Sequence, residues 1–452
     1  MKSDLIFLVH SSPHSSFLET DTPLHQKDGS CKIGNIVYYP GKKLGEGSMG
    51  TTVFLGKYGR REVAVKMVRE REWSKKAINE SDLLLQVNTN ENIVRYFGTE
   101  KCSQFIYIAL QLCEANLQEC VEGKYKNPQV NLSNVLLHVL HGLNFLHNLE
   151  SPIVHSDIKP SNILIYISNY TSEPIGKLAD LGTAKHLRKF HGTSSVGTQG
   201  LQGSRGWMAP EMVQAFTSFD GATNHKTDIK VDIFSMGLVI SYVCSGGEHP
   251  FGDDTTLVDY NITQGKYDFS RLQESKDFIS LNLIEKMIAT DPQTRPTVDL
   301  VLKHPKFWTG KKISSFFIEV NHLIHSEVEG AQVSGELERG SDEVITSVNW
   351  VNELEMMVEA DNILLIGNKY KAETLSDLIR AICDYSNHYN QPDRTHKSTS
   401  GVLHNKFIDY WLLKFPKLLV YTFQAMERYK MQPNLHQFYD HTHNYGKLNP
   451  LY

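Results

Sequence analysis

The feature that most constrains the fold of this chain is a series of short motifs that follow one another between Gly45 and Glu211. The first is the glycine-rich run GEGSMG, in which Gly45, Gly47 and Gly50 precede Val53. Glycines lack a Cβ atom and therefore let the backbone lie close to phosphate groups. Because glycine-rich turns are common, this run predicts a phosphate-binding loop only if the later motifs agree with it.

A lysine and a glutamate of complementary charge follow the glycine-rich run. The strand-like run VAVK contains Ala64 and ends at Lys66, and Glu80 lies fourteen residues further on in a stretch with helical spacing. A lysine in this position is suited to contact the α- and β-phosphates of a nucleotide, with the glutamate as its ion-pair partner. Each charge alone is more often a solvated surface group, so this pairing depends on the whole series.

The next two motifs carry the groups for phosphoryl transfer. In the run HSDIKPSN, Asp157 can accept the proton of a substrate hydroxyl, Lys159 can contact the γ-phosphate and Asn162 can bind a second magnesium ion. In the run DLG, Asp180 supplies the principal metal carboxylate. We therefore predict ATP or ADP with Mg²⁺ as the ligands, and Asn162 and Asp180 as the metal-binding residues.

Two later motifs predict structural contacts around these groups. Glu211 in the run APE can form an ion pair with Arg295 in the run DPQTRP. Asp232 in the run DIFSMG is expected to brace the loop that contains Asp157.

Six motifs in this order and spacing resemble the eukaryotic protein-kinase family over residues 36–308. The resemblance implies a bilobal fold with ATP bound in the cleft between the lobes. It also implies that Leu110 is the gatekeeper and that the hinge runs from Gln111 to Cys113, which adds these two residues to the nucleotide site. Leu181 stands where the family usually has phenylalanine, which is a mild change.

A second departure concerns regulation. Ser156 replaces the arginine that usually precedes the catalytic aspartate and that, in the family, holds a phosphorylated activation loop. Phosphates on the hydroxyl residues of the loop would need other partners, such as Arg188, Lys189 or Arg205. These hydroxyl residues are Thr193, Ser194, Ser195 and Thr198. No group needed for the chemistry is missing, so we expect phosphoryl transfer.

Composition sets limits on partners and compartment. The chain has 452 residues, a formal net charge of −5 and six cysteines without a CxxC pair. These values give no electrostatic reason for non-specific binding to nucleic acid or membranes, and they fit a reducing compartment. The apolar runs Leu5–Val9 and Trp411–Phe423 are too short or too interrupted for a signal or membrane segment. We expect a soluble, cytoplasmic chain as it stands.

The predicted elements divide the chain into three parts. Residues 1–33 are rich in Ser, His and Thr and are interpreted as a flexible leader. Residues 34–308 form the kinase domain, β-rich at first and then helical. Its predicted elements are the strands Val53–Tyr58, Glu62–Val68 and Phe105–Leu112 and the helices Ser74–Val87, Leu132–Leu149, Ile233–Val243 and Phe278–Ile288.

After Trp308 the strand signal fades, and the remaining segments with a clear pattern have helical spacing. The predicted helices are Lys311–Val328, Leu375–Tyr385 and Pro416–Tyr429, the last with proline in its first turn, and Gly330–Ser341 is predicted to be a loop.

Four stretches, at 95–119, 232–252, 304–320 and 412–429, resemble one kinase branch in particular. This branch is the inositol-requiring kinase/endoribonuclease family of the unfolded-protein response, with ribonuclease L as a more distant relative. The resemblance implies an α+β chain, in which a bilobal kinase fold is followed by an all-α ribonuclease-type domain. This domain is implied to cover residues 311–445 and to pack directly on the kinase C-lobe. The resemblance further implies autophosphorylation, a homodimer or higher oligomer, and cleavage of stem-loop RNA. If the chain is a fragment or is tethered by a partner, the resemblance implies the cytosolic face of the endoplasmic reticulum membrane.

The residues that cleave RNA in this family can be compared with the sequence one at a time. The catalytic tyrosine matches Tyr370, and the general acid/base histidine matches His388. The implied chemistry is metal-independent transfer of an RNA 2′-hydroxyl onto its own phosphodiester, for which histidine is a suitable proton carrier. Without the resemblance, these two residues are more simply a surface aromatic and a histidine near a helix end.

The sequence departs from the family beside these residues. Cys383 and Asp384 stand where the family carries arginine and asparagine, so a guanidinium that can bind phosphate is missing. Helical spacing predicts a buried stripe of Leu375, Leu378, Ile379 and Ile382 and an opposite, exposed stripe of Arg380, Cys383, Asp384 and Asn387. Arg380 is expected either to lend its charge to the site or, as we prefer, to neutralise Asp384 one turn away.

Three functions remain open at this point. The chain is a bifunctional kinase and endoribonuclease, or a Ser/Thr kinase whose C-terminal domain is a catalytically impaired scaffold for dimerisation or RNA binding. The third alternative is a pseudokinase that binds nucleotide only as a conformational ligand.

Overall fold

A computed structural model describes residues 23–47, 51–69, 80–168, 172–190, 193–195, 203–217, 228–346, 350–352, 370–389 and 408–439. The predicted positions that lie outside these ranges include Gly50 and most of the leader.

The N-terminal lobe is built on a seven-stranded antiparallel sheet with the order β1-β2-β3-β4-β5-β7-β6. All three predicted strands are present, and Gly59 makes the turn between β4 and β5 with a positive φ of 61°. The strands are β1 Leu24–His25, β2 Cys31–Ile33, β3 Ile36–Glu46, β4 Thr52–Tyr58, β5 Arg61–Arg69, β6 Tyr96–Cys102 and β7 Phe105–Gln111. Helix α1, described at 80–87, lies beside the sheet, where the Ser81 hydroxyl is 3.0 Å from the Thr99 hydroxyl of β6.

The first two strands correct the prediction of a flexible leader up to residue 33. β2 pairs with β3, and Cys31 and Ile33 are only 1% and 2% exposed while Lys32 between them faces solvent. This apolar–polar–apolar alternation is typical of a half-buried strand, but it covers only three residues and the surrounding composition is polar. The prediction was therefore wrong for residues 24–33.

The C-terminal lobe is mainly helical and has its core around α5, whose residues are buried on nearly all sides. A helix that is apolar all round belongs in the centre of a domain. Its helices are α2 Leu117–Val121, α3 Leu132–His147, α4 Pro210–Thr217, α5 Lys230–Ser245, α6 Val258–Gln264, α7 Ser270–Glu274, α8 Phe278–Met287 and α9 Val298–Lys303. The predicted helices in this lobe are confirmed, with ends shifted by a few residues.

Short strands at the edge of this lobe carry the loops of the site. β10 pairs with both β8 and β11, β9 pairs with β12, and β13 pairs with β14. The strands are β8 Ala115–Asn116, β9 Ile153–Val154, β10 Ile163–Ile167, β11 Pro174–Leu178, β12 Lys185–His186, β13 Arg188–Phe190 and β14 Thr193–Ser195.

The C-terminal module consists of helices packed around a second core, as predicted. The helices are α10 Gly310–Ile324, α11 Gly330–Glu338, α12 Ser341–Val344, α13 Leu375–Tyr389, α14 at 408–414 and α15 Leu418–Ala425. Trp308, at the end of the kinase lobe, packs edge-on against Phe316 and Phe423 of the module, with ring centroids 5.3 and 5.5 Å apart. The module therefore lies directly on the C-lobe. No described helix is long and apolar enough to cross a bilayer.

Two predictions for this module were wrong in detail. Gly330–Ser341 is mostly helix rather than loop, because Val333 and Leu337, one turn apart, are both fully buried. In the sequence, these two apolar residues are surrounded by glycine, glutamate and serine, and this composition favoured the prediction of a loop. Pro416 precedes α15 instead of lying in its first turn, and the end of the predicted helix is a 3₁₀ turn at Met426–Tyr429.

Candidate active sites

Lys66 lies at the centre of a three-residue ion cluster in the cleft. Its Nζ is 2.8 and 2.9 Å from the two carboxylate oxygens of Glu80 and 2.7 Å from Oδ1 of Asp180. The side chains of Lys66 and Glu80 are only 12% and 4% exposed. The predicted pair is thus present, and the cluster joins strand β5, helix α1 and the DLG motif.

The charges of this cluster depend on each other. Burial alone would lower the pKa of the Lys66 ammonium, but the carboxylates of Asp180 and Glu80 together raise it above its usual range. The Lys66 charge lowers the pKa of Asp180 to about 2, against the smaller opposing effect of partial desolvation. Burial raises the pKa of Glu80, and Lys66 opposes this shift. Lys66 is therefore firmly cationic and Asp180 firmly anionic at neutral pH.

The sheet register brings the predicted nucleotide residues onto one face. Val53 lies opposite Lys66 across β4 and β5, and Ala64 lies opposite Leu110 across β5 and β7. Directly opposed antiparallel residues point to the same face, as do residues two apart in a strand. Val53, Ala64, Lys66 and Leu110 therefore share the face towards the cleft. Val63 on the other face is fully buried in the lobe's core.

The ends of this face are formed by the glycine-rich run and the hinge. Gly45 pairs with Val53 in the sheet, and the Gly47 amide donates to the Thr51 carbonyl at 2.9 Å. A Cβ atom on Gly45 would meet nothing within 4 Å, which leaves open space above the strand. At the hinge, the Cys113 thiol contacts the Gln111 carbonyl, and burial raises the pKa of Cys113 to about 12.

The catalytic loop holds Asp157 from several sides. The Asn162 amide nitrogen donates to the Asp157 carbonyl and to its Oδ2, both at 2.9 Å, and Lys159 Nζ is 3.2 Å from the same Oδ2. The other oxygen, Oδ1, accepts the backbone N–H of Ser204 at 2.8 Å. The structure thus brings the three predicted catalytic-loop residues together.

Ser204 is a residue of this site that the sequence analysis missed. It binds Asp157 through its amide and accepts a hydrogen bond from Lys159 through its hydroxyl. The only signal was a hydroxyl residue between the DLG and APE motifs. Because other serines and threonines lie in the same interval, spacing alone cannot single it out.

Asp232 braces the catalytic loop, as predicted. Its carboxylate accepts the backbone N–H groups of His155 and Ser156, each at 2.9 Å, and contacts His147 Nε2 at 2.9 Å. Ser156 has a positive φ of 69°, which costs a non-glycine residue energy and is maintained here by these bonds.

Glu211 and Arg295 form the predicted ion pair. The guanidinium donates to both carboxylate oxygens at 2.7 and 2.8 Å, and its Nε donates to the Ala289 carbonyl at 2.7 Å. The Arg295 side chain is fully buried. The pair joins the end of the segment between the DLG and APE motifs, here called the activation segment, to the loop before α9.

The residues present fit the magnesium ions that the kinase fold implies. The backbone N–H of Ala179 donates to the Asn162 carbonyl at 2.9 Å, which holds Asn162 beside Asp180. Asn162 makes both of its contacts to Asp157 through nitrogen, so its amide oxygen is left as a ligand atom. A carboxylate and an amide oxygen are the hard donors that Mg²⁺ prefers. Asn162 and Asp180 would hold the metal, which would draw charge from the nucleotide phosphates.

In the C-terminal module, Tyr370 lies against one face of α13. Its hydroxyl donates to Asp384 Oδ2 at 3.0 Å, and the Arg380 guanidinium lies 5.1 Å from the centre of its ring. Arg380 also pairs with Asp377 at 3.0 Å. Arg380 is therefore next to Tyr370, with Asp377 as an ion-pair partner that the sequence analysis did not consider.

Cys383 corrects the predicted exposed stripe of α13, because it is only 2% exposed and belongs to the module's core. The predicted buried stripe is confirmed, but at about 100° per residue the buried arc from Ala381 to Cys383 covers about 200°. This arc is wide because α10 and α11 both pack on α13. Burial raises the pKa of the Cys383 thiol, so it supplies no charge to the site. The predicted His388 lies in the last turn of α13, and its side chain is outside the described residues.

Comparisons with known proteins identify two families in this chain. The family model of the protein kinase domain matches residues 38–307, and the model named ribonuclease 2-5A matches residues 313–439. The chain is 36% identical to the human serine/threonine-protein kinase/endoribonuclease IRE2 over 87% of its length and 41% of that protein. It is 33% identical to the kinase/endoribonuclease ire-1 of Caenorhabditis elegans, over 92% of this chain and 42% of the relative.

A third relative is the sensor for unfolded proteins in the ER, ire1, of Schizosaccharomyces pombe. The identity is 31% over 91% of this chain and 40% of that protein. The chain thus spans about two fifths of the length of the relatives that it matches.

Proposed function

Because this chain belongs to the inositol-requiring family of kinase/endoribonucleases, we propose that it is an ATP-dependent Ser/Thr kinase that phosphorylates mainly itself and carries a module that cleaves RNA. The observation that carries the kinase function is that Lys66 contacts Glu80 and Asp180 at once. This contact requires the N-lobe sheet, helix α1 and the DLG motif to be assembled together, which is the arrangement that phosphoryl transfer needs.

The proposed roles follow from the contacts of each side chain. Lys66, with its charge maintained by two carboxylates, binds the α- and β-phosphates, and Asp157 accepts the proton of the substrate hydroxyl. Asn162, Lys159 and the Ser204 amide hold Asp157 in one orientation, which keeps it ready for that proton. ATP with Mg²⁺ supplies the phosphoryl group and the cation that balances its charge.

The kinase proposal is tested by incubating the purified chain with radiolabelled MgATP. Self-labelling is expected for the native chain and should fall about 10²–10⁴-fold in Asp157→Asn, since a general base is lost. Asp254→Asn, which changes an exposed carboxylate in the same lobe, is the matched control and should label normally. Nucleotide binding without labelling by the native chain would support the pseudokinase alternative instead.

We propose that the C-terminal module cleaves RNA. The match to the ribonuclease 2-5A model over 313–439 supports it, as does the position of Tyr370 beside α13. Tyr370 and His388 are the proposed proton carriers for transfer of a 2′-hydroxyl onto its phosphodiester. We further propose a homodimer or higher oligomer as the active form, stem-loop RNA as substrate, and action at the cytosolic face of the endoplasmic reticulum.

A specific observation favours a second candidate for the module, an impaired scaffold for dimerisation or RNA binding. Cys383 is buried and neutral where the family carries arginine, so the phosphate loses a cationic partner. Loss of one such electrostatic contact typically costs about 10²–10³-fold in rate.

The two candidates are separated by measuring cleavage of a stem-loop RNA. The proteins compared are the native chain and the variants His388→Ala and Asp384→Asn. Cleavage by the native chain that is lost in His388→Ala supports the nuclease, and RNA binding without cleavage supports the scaffold. Asp384→Asn is the useful gain-of-function variant, because Cys383→Arg would place a guanidinium in the module's core.

A further inference from the structure

Residues 204–207, just before the APE motif, form a closed β-turn. The Trp207 N–H donates to the Ser204 carbonyl at 3.0 Å, and Gly206, the third residue of the turn, has a positive φ of 81°. A positive φ at this position is typical of a type II turn and favours glycine. A Cβ atom on Gly206 would lie 3.5 Å from Val258, which is an ordinary contact. Glycine is therefore needed here for the backbone conformation and not for space.

Ser204, the first residue of the turn, connects it to the catalytic loop. Its N–H donates to Asp157 Oδ1 at 2.8 Å. The preceding residue, Gly203, lies against the backbone of the same loop, since a Cβ atom on it would come within 2.9 Å of the Ser156 carbonyl oxygen. The position of the turn therefore sets the position of one of the hydrogen-bond donors to Asp157.

Asp259, in the first turn of α6, holds the other side of the β-turn. Its Oδ1 accepts the backbone N–H of Gly206 at 2.9 Å, and its Oδ2 accepts Nε of Arg205 at 2.7 Å. Gly206 is buried and the Asp259 side chain is 13% exposed, whereas the Arg205 side chain is 71% exposed. An ion pair with so exposed a partner contributes little, because water screens it. The hydrogen bond to the Gly206 N–H is therefore the contact that holds the turn.

The N–H of Gly206 belongs to the central peptide of the turn, and this peptide distinguishes the two common turn types. Between type I and type II, ψ of the second residue and φ of the third change by roughly 150–170°, which turns the central peptide over. In the turned-over form the Arg205 carbonyl oxygen would face the Asp259 carboxylate and be repelled by it. The next peptide is held as well, because the Gly206 carbonyl accepts His249 Nε2 at 2.9 Å. Asp259 thus selects one of two turn conformations.

We propose that Asp259 is a positioning residue for phosphoryl transfer, which accepts the Gly206 N–H and so fixes the turn that places the Ser204 N–H against Asp157. This inference rests on the kinase function proposed above. Asp259 takes no part in proton transfer and acts only through the turn and Asp157. The role requires an acceptor oxygen at position 259, and an amide oxygen supplies one as a carboxylate does.

The test is the rate of self-labelling with radiolabelled MgATP, measured over a range of ATP concentrations for the native chain and the variants Asp259→Ala, Asp259→Asn and Arg205→Ala. We expect Asp259→Ala to lower the maximum rate about 10- to 100-fold, because a misplaced catalytic group slows the chemical step. The half-saturating ATP concentration should change less than about threefold, because the Lys66 cluster is untouched. Asp259→Asn and Arg205→Ala should label within about threefold of the native rate, since both keep an acceptor for the Gly206 N–H.

A double variant tests whether Asp259 acts through the catalytic base. Asp259→Ala/Asp157→Asn should label no more slowly than Asp157→Asn alone, because both changes remove one function. Gly206→Ala disfavours the same turn through its positive φ and leaves Asp259 in place, so it should show the same loss as Asp259→Ala. It also serves as the second variant if Asp259→Ala does not fold.

Asp253→Ala is the matched control, because Asp253 is an exposed aspartate just before α6. It should label as the native chain does, and the melting temperature of every variant checks folding. A native maximum rate in Asp259→Ala would overturn the proposal, and so would multiplied losses in the double variant or a loss seen only in the half-saturating ATP concentration. Equal losses in Asp259→Asn and Asp259→Ala would also overturn it, because the charge and not the acceptor would then be what matters.

Hydrogen–deuterium exchange separates this proposal from the proposed kinase function. If the native chain does not label itself, the kinase function fails, and the exchange of a peptide that contains residues 203–208 decides the role of Asp259. In Asp259→Ala we expect the amides of both Gly206 and Ser204 to exchange faster than in the native chain, because loss of the first bond releases the second. Asp259→Asn should exchange as the native chain does. Faster exchange of one amide only, or of neither, contradicts the proposal.

Discussion

The kinase site and the nuclease-type site of this chain are assembled in different ways. In the kinase site, Lys66 contacts Asp180 across 114 positions of sequence, and Glu80 comes from a third element. In the nuclease-type site, Tyr370, Arg380 and Asp384 lie within fifteen residues of one another, on α13 and just before it. The first site depends on how distant elements dock, while the second depends on which residue occupies each turn of one helix. Substitutions should therefore act on the two sites differently.

The largest effect is expected where distant elements are joined by a buried charge. Glu211→Ala leaves the fully buried Arg295 guanidinium without its carboxylate and should lower the free energy of unfolding of the kinase lobe by about 3–5 kcal/mol. Chemical denaturation followed by tryptophan fluorescence measures this loss. Glu248→Ala, which changes an exposed glutamate, is the control and should cost little. A loss below about 1 kcal/mol in Glu211→Ala would show that the pair does not hold the activation segment.

The second-largest effect is expected on the rate of self-labelling by the kinase. Lys66→Met removes the cation that contacts both Glu80 and Asp180, and self-labelling should fall about 10²–10³-fold, as for loss of one electrostatic contact to a phosphate. Lys57→Met, on the neighbouring strand and exposed, should label at the native rate. Comparable labelling by the two variants would contradict the proposed role of Lys66.

A smaller effect is expected in the nuclease-type module. Cys383→Ser places a hydroxyl in the core and should cost about 1–3 kcal/mol of module stability, because a buried polar group loses its hydration. Cys120→Ser, at a half-buried position of the kinase lobe, should cost less. Thermal unfolding of both variants makes the comparison. Equal melting temperatures would mean that Cys383 is accessible and that the site differs from the one described.

The smallest effect is a pH dependence of the Lys66–Asp180 contact. Lys66 lowers the pKa of Asp180 to about 2, so the contact stabilises the fold above the unfolded-state pKa of about 4 and loses this contribution as the pH falls from about 4 to 2. The effect is small because the Asp180 side chain is 41% exposed and water screens the charges.

Unfolding free energies of the native chain and Asp180→Asn, measured from pH 6 to pH 2.5, test this expectation. The stability difference between the two proteins should shrink towards acid. A difference that stays constant over this range would mean that the contact adds no stability, and Asp253→Asn, which changes an exposed carboxylate, gives the baseline.

Much of the kinase site could be predicted from the sequence. Each motif of the series contains residues of a required type at a required spacing, so residue type and spacing alone predict that Lys66 pairs with Glu80 and that Asp157 and Asp180 share its site. Ser204 could not be predicted in this way, because its contact with Asp157 depends on how the activation segment folds back, and other hydroxyl residues lie nearby.

The errors share a physical cause. Helical spacing predicts which residues of α13 lie on the same side, but not how many neighbours cover the helix. Two packing partners extend the buried arc to Cys383. In the same way, composition predicts a loop at Gly330–Ser341, although burial of Val333 and Leu337 stabilises a helix at Gly330–Glu338.

The amino-acid sequence alone determined the order of chemical groups, the two-part organisation and the family, because these depend on residue type and spacing along the chain. Only the tertiary structure decided that Cys383 is buried, that Ser204 holds Asp157 and that Tyr370 points at Asp384. These facts depend on which surfaces exclude water from each other, and that is a property of packed elements, not of any single segment.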